Sequence, residues 1–87
     1  MAEVVLYTTA FCPYCARARL LLDRKGIGYT EFNIIEQPAR RDEMIRRAGG
    51  RTSVPQIFID GEHIGGSDEL VALERAGELD AKLESTK

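Results

Sequence analysis

The spacing of hydrophobic and polar positions changes period several times along the chain, and each change marks an element. Residues 3–7, EVVLY, form a continuous apolar run with two valines, the pattern of a buried strand. Small and turn-forming residues follow, then ARARLLLDRKG. There Ala16, Leu20 and Leu21 fall on one helical face, Arg17, Arg19 and Arg24 fall largely elsewhere, and Gly26 supplies a stop. Residues 29–35, YTEFNII, alternate and predict a second strand. Pro38 opens a charged segment, ARRDEMIRRAGG, which reads as a helix with Met44, Ile45 and Ala48 inward and Gly49–Gly50 as its end. PQIFIDGEHIGG predicts a hairpin whose strands flank Asp60–Gly61, a dipeptide suited to a type I′ turn. SDELVALERAG predicts a further helix with Ser67 or Asp68 as N-cap and Gly77 just past its end, and ELDAKLESTK a last short one.

The resulting order, β-α-β-α-β-β-α, predicts an α/β fold of three layers. The first β-α-β is a right-handed parallel crossover, the hairpin extends the same sheet, and helices cover both faces. The only two cysteines, Cys12 and Cys15 in TTAFCPYCARARLLL, lie where the first strand hands over to the first helix.

Composition narrows what these cysteines can be doing. Eighty-seven residues make a single domain, 1–87, and 44% hydrophobic with 30% charged residues is ordinary for a globular chain. A net charge of −2 offers no basic surface for nucleic acid. No apolar run approaches the roughly 20 residues of a membrane helix, and MAEVVLYTT lacks the basic start and long apolar stretch of a signal peptide. The expected location is therefore cytoplasmic, where thiols stay reduced and serve catalysis or metal binding rather than as structural staples. A disulfide across C-x-x-C would in any case close too short a loop to restrain much of the unfolded chain. A structural zinc site needs four ligands, and one cysteine pair with one histidine, His63, falls short. An iron–sulfur cluster would need ligands from a second subunit or a small thiol. Redox exchange is the reading that needs nothing added.

Position assigns the roles. Pro13 suits the first helical residue, because its missing N–H and fixed φ cost nothing there. Cys12 then sits at or beside the N-cap, facing the unpaired amides of the first turn. Those amides and the helix dipole favour negative charge, the form in which a cysteine sulfur attacks a disulfide. Cys15 lies one turn deeper on the same face. Cys12 is the attacking thiol and Cys15 the resolving one.

Three segments together resemble a known family: CPYC at 12–15, TSVPQIFID at 52–60 and GGSD at 65–68. C-x-x-C alone is common, but these motifs at these separations resemble the dithiol glutaredoxins of the small bacterial glutaredoxin-3 type, over about residues 3–84. The resemblance implies a thioredoxin-like α/β/α sandwich with a four-stranded mixed sheet in the order 2-1-3-4, its third strand antiparallel to its first. It implies a glutathione-dependent thiol–disulfide oxidoreductase that reduces protein disulfides and glutathione mixed disulfides. Glutathione is then a cosubstrate, with no metal or prosthetic group required. The implied partners are glutathione and oxidised or glutathionylated proteins, ribonucleotide reductase among the family-level candidates, with a monomer as the default state.

Residue by residue, the resemblance makes Cys12 the acceptor of the glutathionyl group and Cys15 the thiol used with protein disulfides. Tyr14 packs beside glutathione, and the Ser53–Val54–Pro55 stretch pairs with its cysteinyl unit, Pro55 being the family's cis-proline. From the sequence alone Val54–Pro55 reads as trans, since cis is only about 5–6% of X-Pro bonds. Gly66, the Ser67 amide and Asp68 take the γ-glutamyl end; Gly65 and Gly66 admit a close backbone, and a helix start favours an anion. Ser67 and Asp68 read equally as plain helix caps.

The chain departs from the pattern at Thr9, where many glutaredoxins carry a lysine for the glycine carboxylate of glutathione. Arg40, Arg46, Arg47 and Arg51 are the candidate replacements, and a solvated helix face is the plain reading of each. Ser67 also stands where some relatives have a cysteine. Three rival functions share these features: a redoxin reduced by thioredoxin reductase, a dimer carrying a glutathione-ligated [2Fe–2S] cluster, and a non-enzymatic binding module.

Overall fold

A computed structural model describes residues 3–84. The elements run β1 (Val4–Thr8), α1 (Pro13–Arg24), β2 (Thr30–Asn33), α2 (Pro38–Arg47), β3 (Gln56–Ile59), β4 (Glu62–Gly65), α3 (Ser67–Arg75) and α4 (Leu79–Leu83). The sheet order is β2-β1-β3-β4. β1 pairs in parallel with β2, Val5 opposite Thr30, and antiparallel with β3, Val5 opposite Phe58. This is the mixed sheet that the sequence and its resemblance predict, and the helices divide between its two faces.

The two-residue period of the strands sorts the core. Val4 and Leu6 of β1 and Ile57 and Ile59 of β3 point to one side, where Ala18 and Leu22 of α1, Leu70 of α3 and Leu79 and Leu83 of α4 cover them. Tyr7 and Phe58 point to the other side, against Ile34 and against Met44 and Ala48 from α2. The β3–β4 turn has positive φ at both Asp60 (52°) and Gly61 (82°), as a type I′ turn requires. Gly26 and Gly77, each just past a helix end, take the left-handed conformation that favours glycine there.

Three details differ from the sequence reading. The inward face of α1 is Cys15, Ala18 and Leu22, whereas Ala16 and Leu20 are exposed, Leu20 by 51%. The N-cap at Cys12 sets the helix phase so that Cys15 enters the core, and i+3 and i+7 from it follow. The second strand ends at Asn33, not residue 35. The Asn33 side-chain oxygen accepts from the amides of Ile35 and Glu36, at 2.9 and 3.2 Å, and turns the chain out of the sheet. The N-cap of α3 is Gly66, not Ser67 or Asp68. Glu69 reaches back to accept from the Gly66 amide at 2.6 Å, so the side-chain half of a capping box comes from the third helical residue. The last short helix predicted within residues 78–87 is α4, Leu79–Leu83, and the final three positions of that segment lie outside the described residues.

Candidate active site

Three chain segments converge at one end of the sheet. In the first, β1 ends at Thr8 and α1 begins at Pro13, leaving Cys12 as N-cap with extended backbone (φ −107°, ψ 116°). The Cys15 amide donates to Cys12 Sγ at 3.4 Å, and the Ala16 amide to the Cys12 carbonyl at 3.1 Å. Cys12 is partly exposed and Cys15 fully buried, and the two thiols are unbonded. Burial first pushes Cys15 up to about 12. A backbone hydrogen bond with Thr9 is the next cause and pulls it down, the thiol hydrogen bond with Cys12 and the charge there push it up less strongly, and the charge of Arg19 pulls it down least. At neutral pH Cys15 is therefore a protonated thiol.

In the second segment, the Val54–Pro55 bond is cis and Pro55 is buried immediately before β3. Proline has no N–H to offer the ladder, which suits the place where strand pairing starts. The Val54 carbonyl oxygen lies 3.8 Å from Cys12 Sγ. In the third, Gly65 ends β4 with φ +119°, a conformation that favours glycine, and a Cβ there would stand 2.8 Å from Glu69 Oε1. The Gly66 amide, followed by burial acting the other way and by the charges of Arg51 and His63, holds the Glu69 carboxyl below its usual range. Ser67, the first residue of α3, is buried, and Asp68 beside it is exposed and pairs with Arg17 at 3.6 Å.

The second and third segments, with Tyr14 from α1, enclose a groove of about 190 Å³. Tyr14, Ser53, Val54, Pro55, Gly66, Ser67 and Asp68, all the positions expected to bind glutathione, line it, and so do Arg51 and Glu69. Cys12 stands at its edge through Val54. Thr9 faces a different hollow, bordered by Phe11 and Ile35. A larger groove of about 840 Å³ between α1 and α3 holds none of the predicted site residues except Asp68. Among the described residues, no group of three or more His, Cys, Asp and Glu side chains is placed to hold a metal ion.

The structure also separates three of the four candidate arginines, the fourth, Arg46, being exposed on α2. Arg40 pairs with Glu43 at 2.9 Å and stacks over Phe32, and Arg47 donates to the Tyr7 hydroxyl at 2.8 Å and lies over Phe58. Both are committed to the α2 face of the sheet. Arg51 is the one that lines the groove. Sequence reasoning missed Glu69, although a glutamate three residues after a helix cap is a recognisable signal. It also missed Gln56, a fully buried polar side chain that gives no periodic sign inside an apolar strand.

A family model for glutaredoxin matches residues 4–64. The chain belongs to the glutaredoxin family. It is 55% identical over 83 residues to a glutaredoxin of Pseudomonas aeruginosa, covering 95% of this chain and 98% of that protein. It is 54% identical over 83 residues to glutaredoxin 3 of Escherichia coli, covering 95% and 99%. The crystal structure of a buckwheat glutaredoxin–glutathione complex superposes with a TM-score of 0.86 at 29% identity, over 94% of this chain and 76% of that one. Glutaredoxins have a thioredoxin-like fold, act as thiol–disulfide oxidoreductases and use glutathione as cosubstrate, so family membership implies that class of chemistry for this chain. No helix among the described residues is long and apolar enough to cross a membrane.

Proposed function

We propose that the protein reduces glutathione mixed disulfides and protein disulfides, with glutathione as reductant, Cys12 as nucleophile and Cys15 as resolving thiol. The observation that carries this reading is the approach of Cys12 Sγ, at a helix N-terminus, to the Val54 carbonyl at the edge of the groove.

With a glutathionylated protein, Cys12 attacks the glutathione sulfur. The Cys12–glutathione bond forms, the protein–glutathione bond breaks, and the protein thiolate leaves and takes up a proton. A second glutathione attacks the glutathione sulfur on Cys12, giving oxidised glutathione and free Cys12. Cys15 has no part in this route. With a protein disulfide, Cys12 forms a mixed disulfide and Cys15 attacks the Cys12 sulfur. That releases the substrate as a dithiol and leaves a Cys12–Cys15 bond for two glutathione molecules to reduce. Once Cys12 is in a mixed disulfide its own upward push on the Cys15 thiol is lost, while burial, the largest cause, remains.

The groove suits glutathione in charge as well as in shape. Ser53, Val54 and Pro55 offer backbone to the cysteinyl unit, the start of α3 and Asp68 meet the γ-glutamyl end, and Arg51 supplies the cation that Thr9 does not. The reading calls for a compartment with a glutathione pool, the cytoplasm. The test is deglutathionylation of a model peptide with glutathione, glutathione reductase and NADPH. Cys12→Ser is expected to be inactive and Cys15→Ser active. An inactive native chain that thioredoxin reductase turns over instead would overturn the reading.

A further inference from the structure

We propose that His63 is a positioning residue for this site, acting through the buried side chain of Gln56 on the stretch that carries Ser53 and Val54. The proposal rests on the glutathione reading above.

Gln56, the first residue of β3, is 0% exposed. Its side-chain nitrogen donates back across the cis-proline to the Ser53 carbonyl at 3.0 Å and the Ser53 hydroxyl at 3.2 Å. A carbonyl oxygen only accepts, so the amide end aimed at Ser53 is the NH₂ group. The amide oxygen therefore faces β4, where His63 Nε2 lies 2.7 Å away. That oxygen can only accept in turn, so His63 carries its hydrogen on Nε2. The chain of donors runs one way: His63 Nε2 to Gln56 Oε1, Gln56 Nε2 to Ser53.

The ring of His63 is fixed from its other side by Phe58, at 5.0 Å between centroids and 30° between planes. The charged groups acting on it are Arg51 and Glu69, both in the lining of the groove. Burial first, and then the Arg51 charge, hold the imidazole below its usual value, against an upward pull from Glu69. Near neutral pH it is the uncharged Nε2–H tautomer. Protonation would fill Nδ1 and leave the Nε2 donor in place. Removing the ring nitrogen leaves Gln56 Oε1 a buried acceptor without a donor, and the amide loses the contact that fixes which end meets Ser53. Ser53 and Val54 both line the groove, and the Val54 carbonyl lies 3.8 Å from Cys12 Sγ. A loosened tether there weakens substrate binding without touching the sulfur chemistry.

His63 is the only histidine in the chain, so every imidazole signal in an NMR spectrum is its own. The first arm is a nitrogen-15 spectrum of the native protein above the histidine titration, where the Nε2–H form is expected; a neutral ring protonated on Nδ1 would overturn the proposal, and this arm needs no variant. The second arm measures deglutathionylation by His63→Phe, which keeps the ring on Phe58, and by Gln56→Leu. Both are expected to raise KM for the glutathionylated peptide roughly threefold to tenfold, the scale of one hydrogen bond. kcat should stay within about twofold and the iodoacetamide reaction of Cys12 should be unchanged, the pattern of lost uniform binding. Folded variants with native KM overturn the positioning role alone. An inactive native chain overturns the glutathione reading, and the positioning role with it.

Discussion

The two cysteines are three residues apart, yet a single helical turn gives them opposite properties. Cys12 stays at the N-cap and partly exposed, and Cys15 is turned into the core with its thiol pushed up to about 12 by burial. One equivalent of iodoacetamide near neutral pH is therefore expected to modify Cys12 alone. Mass spectrometry of the digested adduct checks this, and label on Cys15 would contradict the burial assigned to it. Arg51 makes a second residue-scale case. Its side chain is 44% exposed, so replacing it with glutamine should cost no more than about 1 kcal/mol of glutathione binding, or about a fivefold rise in KM. The same change at Arg40 should leave KM unmoved, because that guanidinium is held by Glu43 and Phe32. Pattern made CPYC and GGSD legible in the sequence, because spacing alone puts a sulfur or an amide at a helix start. Four arginines in similar charged surroundings gave no way to choose among them, since the choice depends on whether each lies against the α2 face of the sheet or beside the groove.

At the scale of elements, α1 shows how a local cap sets a global face. Apolar counting put Leu20 inward, but the phase fixed at Cys12 buries Leu22 and leaves Leu20 51% exposed. Leu22→Ala is expected to lower stability by about 2–5 kcal/mol through cavity formation. Leu20→Ala should change it by no more than about 0.5 kcal/mol. Urea denaturation of the two variants checks the register directly, and equal losses would restore the original face. β1 was legible only as a continuous apolar run, and the structure supplies its faces through the period of two. Val4 and Leu6 turn to the face covered by α1, α3 and α4, and Val5 and Tyr7 to the α2 face. What the pattern could not give was where strands stop, since Asn33 ends β2 through a side-chain hydrogen bond and the apolar run continues past it.

Across the whole molecule, titrating groups limit stability on both sides of neutrality. On the alkaline side Cys15 rises from an ordinary 9.0 to about 12, and Tyr7 and Tyr29 rise above 10.0, all mainly through burial. The folded state then holds these protons more tightly than the unfolded chain does, so the stabilisation is complete below about pH 9 and is lost as pH climbs toward 12. On the acid side His63 is held below 6.5, first by burial, and Glu69 below 4.5, first by the Gly66 amide. Glu43 is likewise held below 4.5, first by the Tyr7 hydroxyl. Here the unfolded chain binds protons first, so stability starts to fall as pH drops below about 6.5 and falls further below about 4.5. The urea midpoint should therefore plateau between about pH 7 and pH 9 and decline on either side. The Cys15→Ala variant separates the causes. Its lost thiol removes the earliest alkaline titration, so its decline should begin about one pH unit later, near 10, with the acid limb unchanged. An alkaline limb identical to the native one would mean that Cys15 is not buried as a neutral thiol, and the assignment of roles within the pair would lose its physical basis.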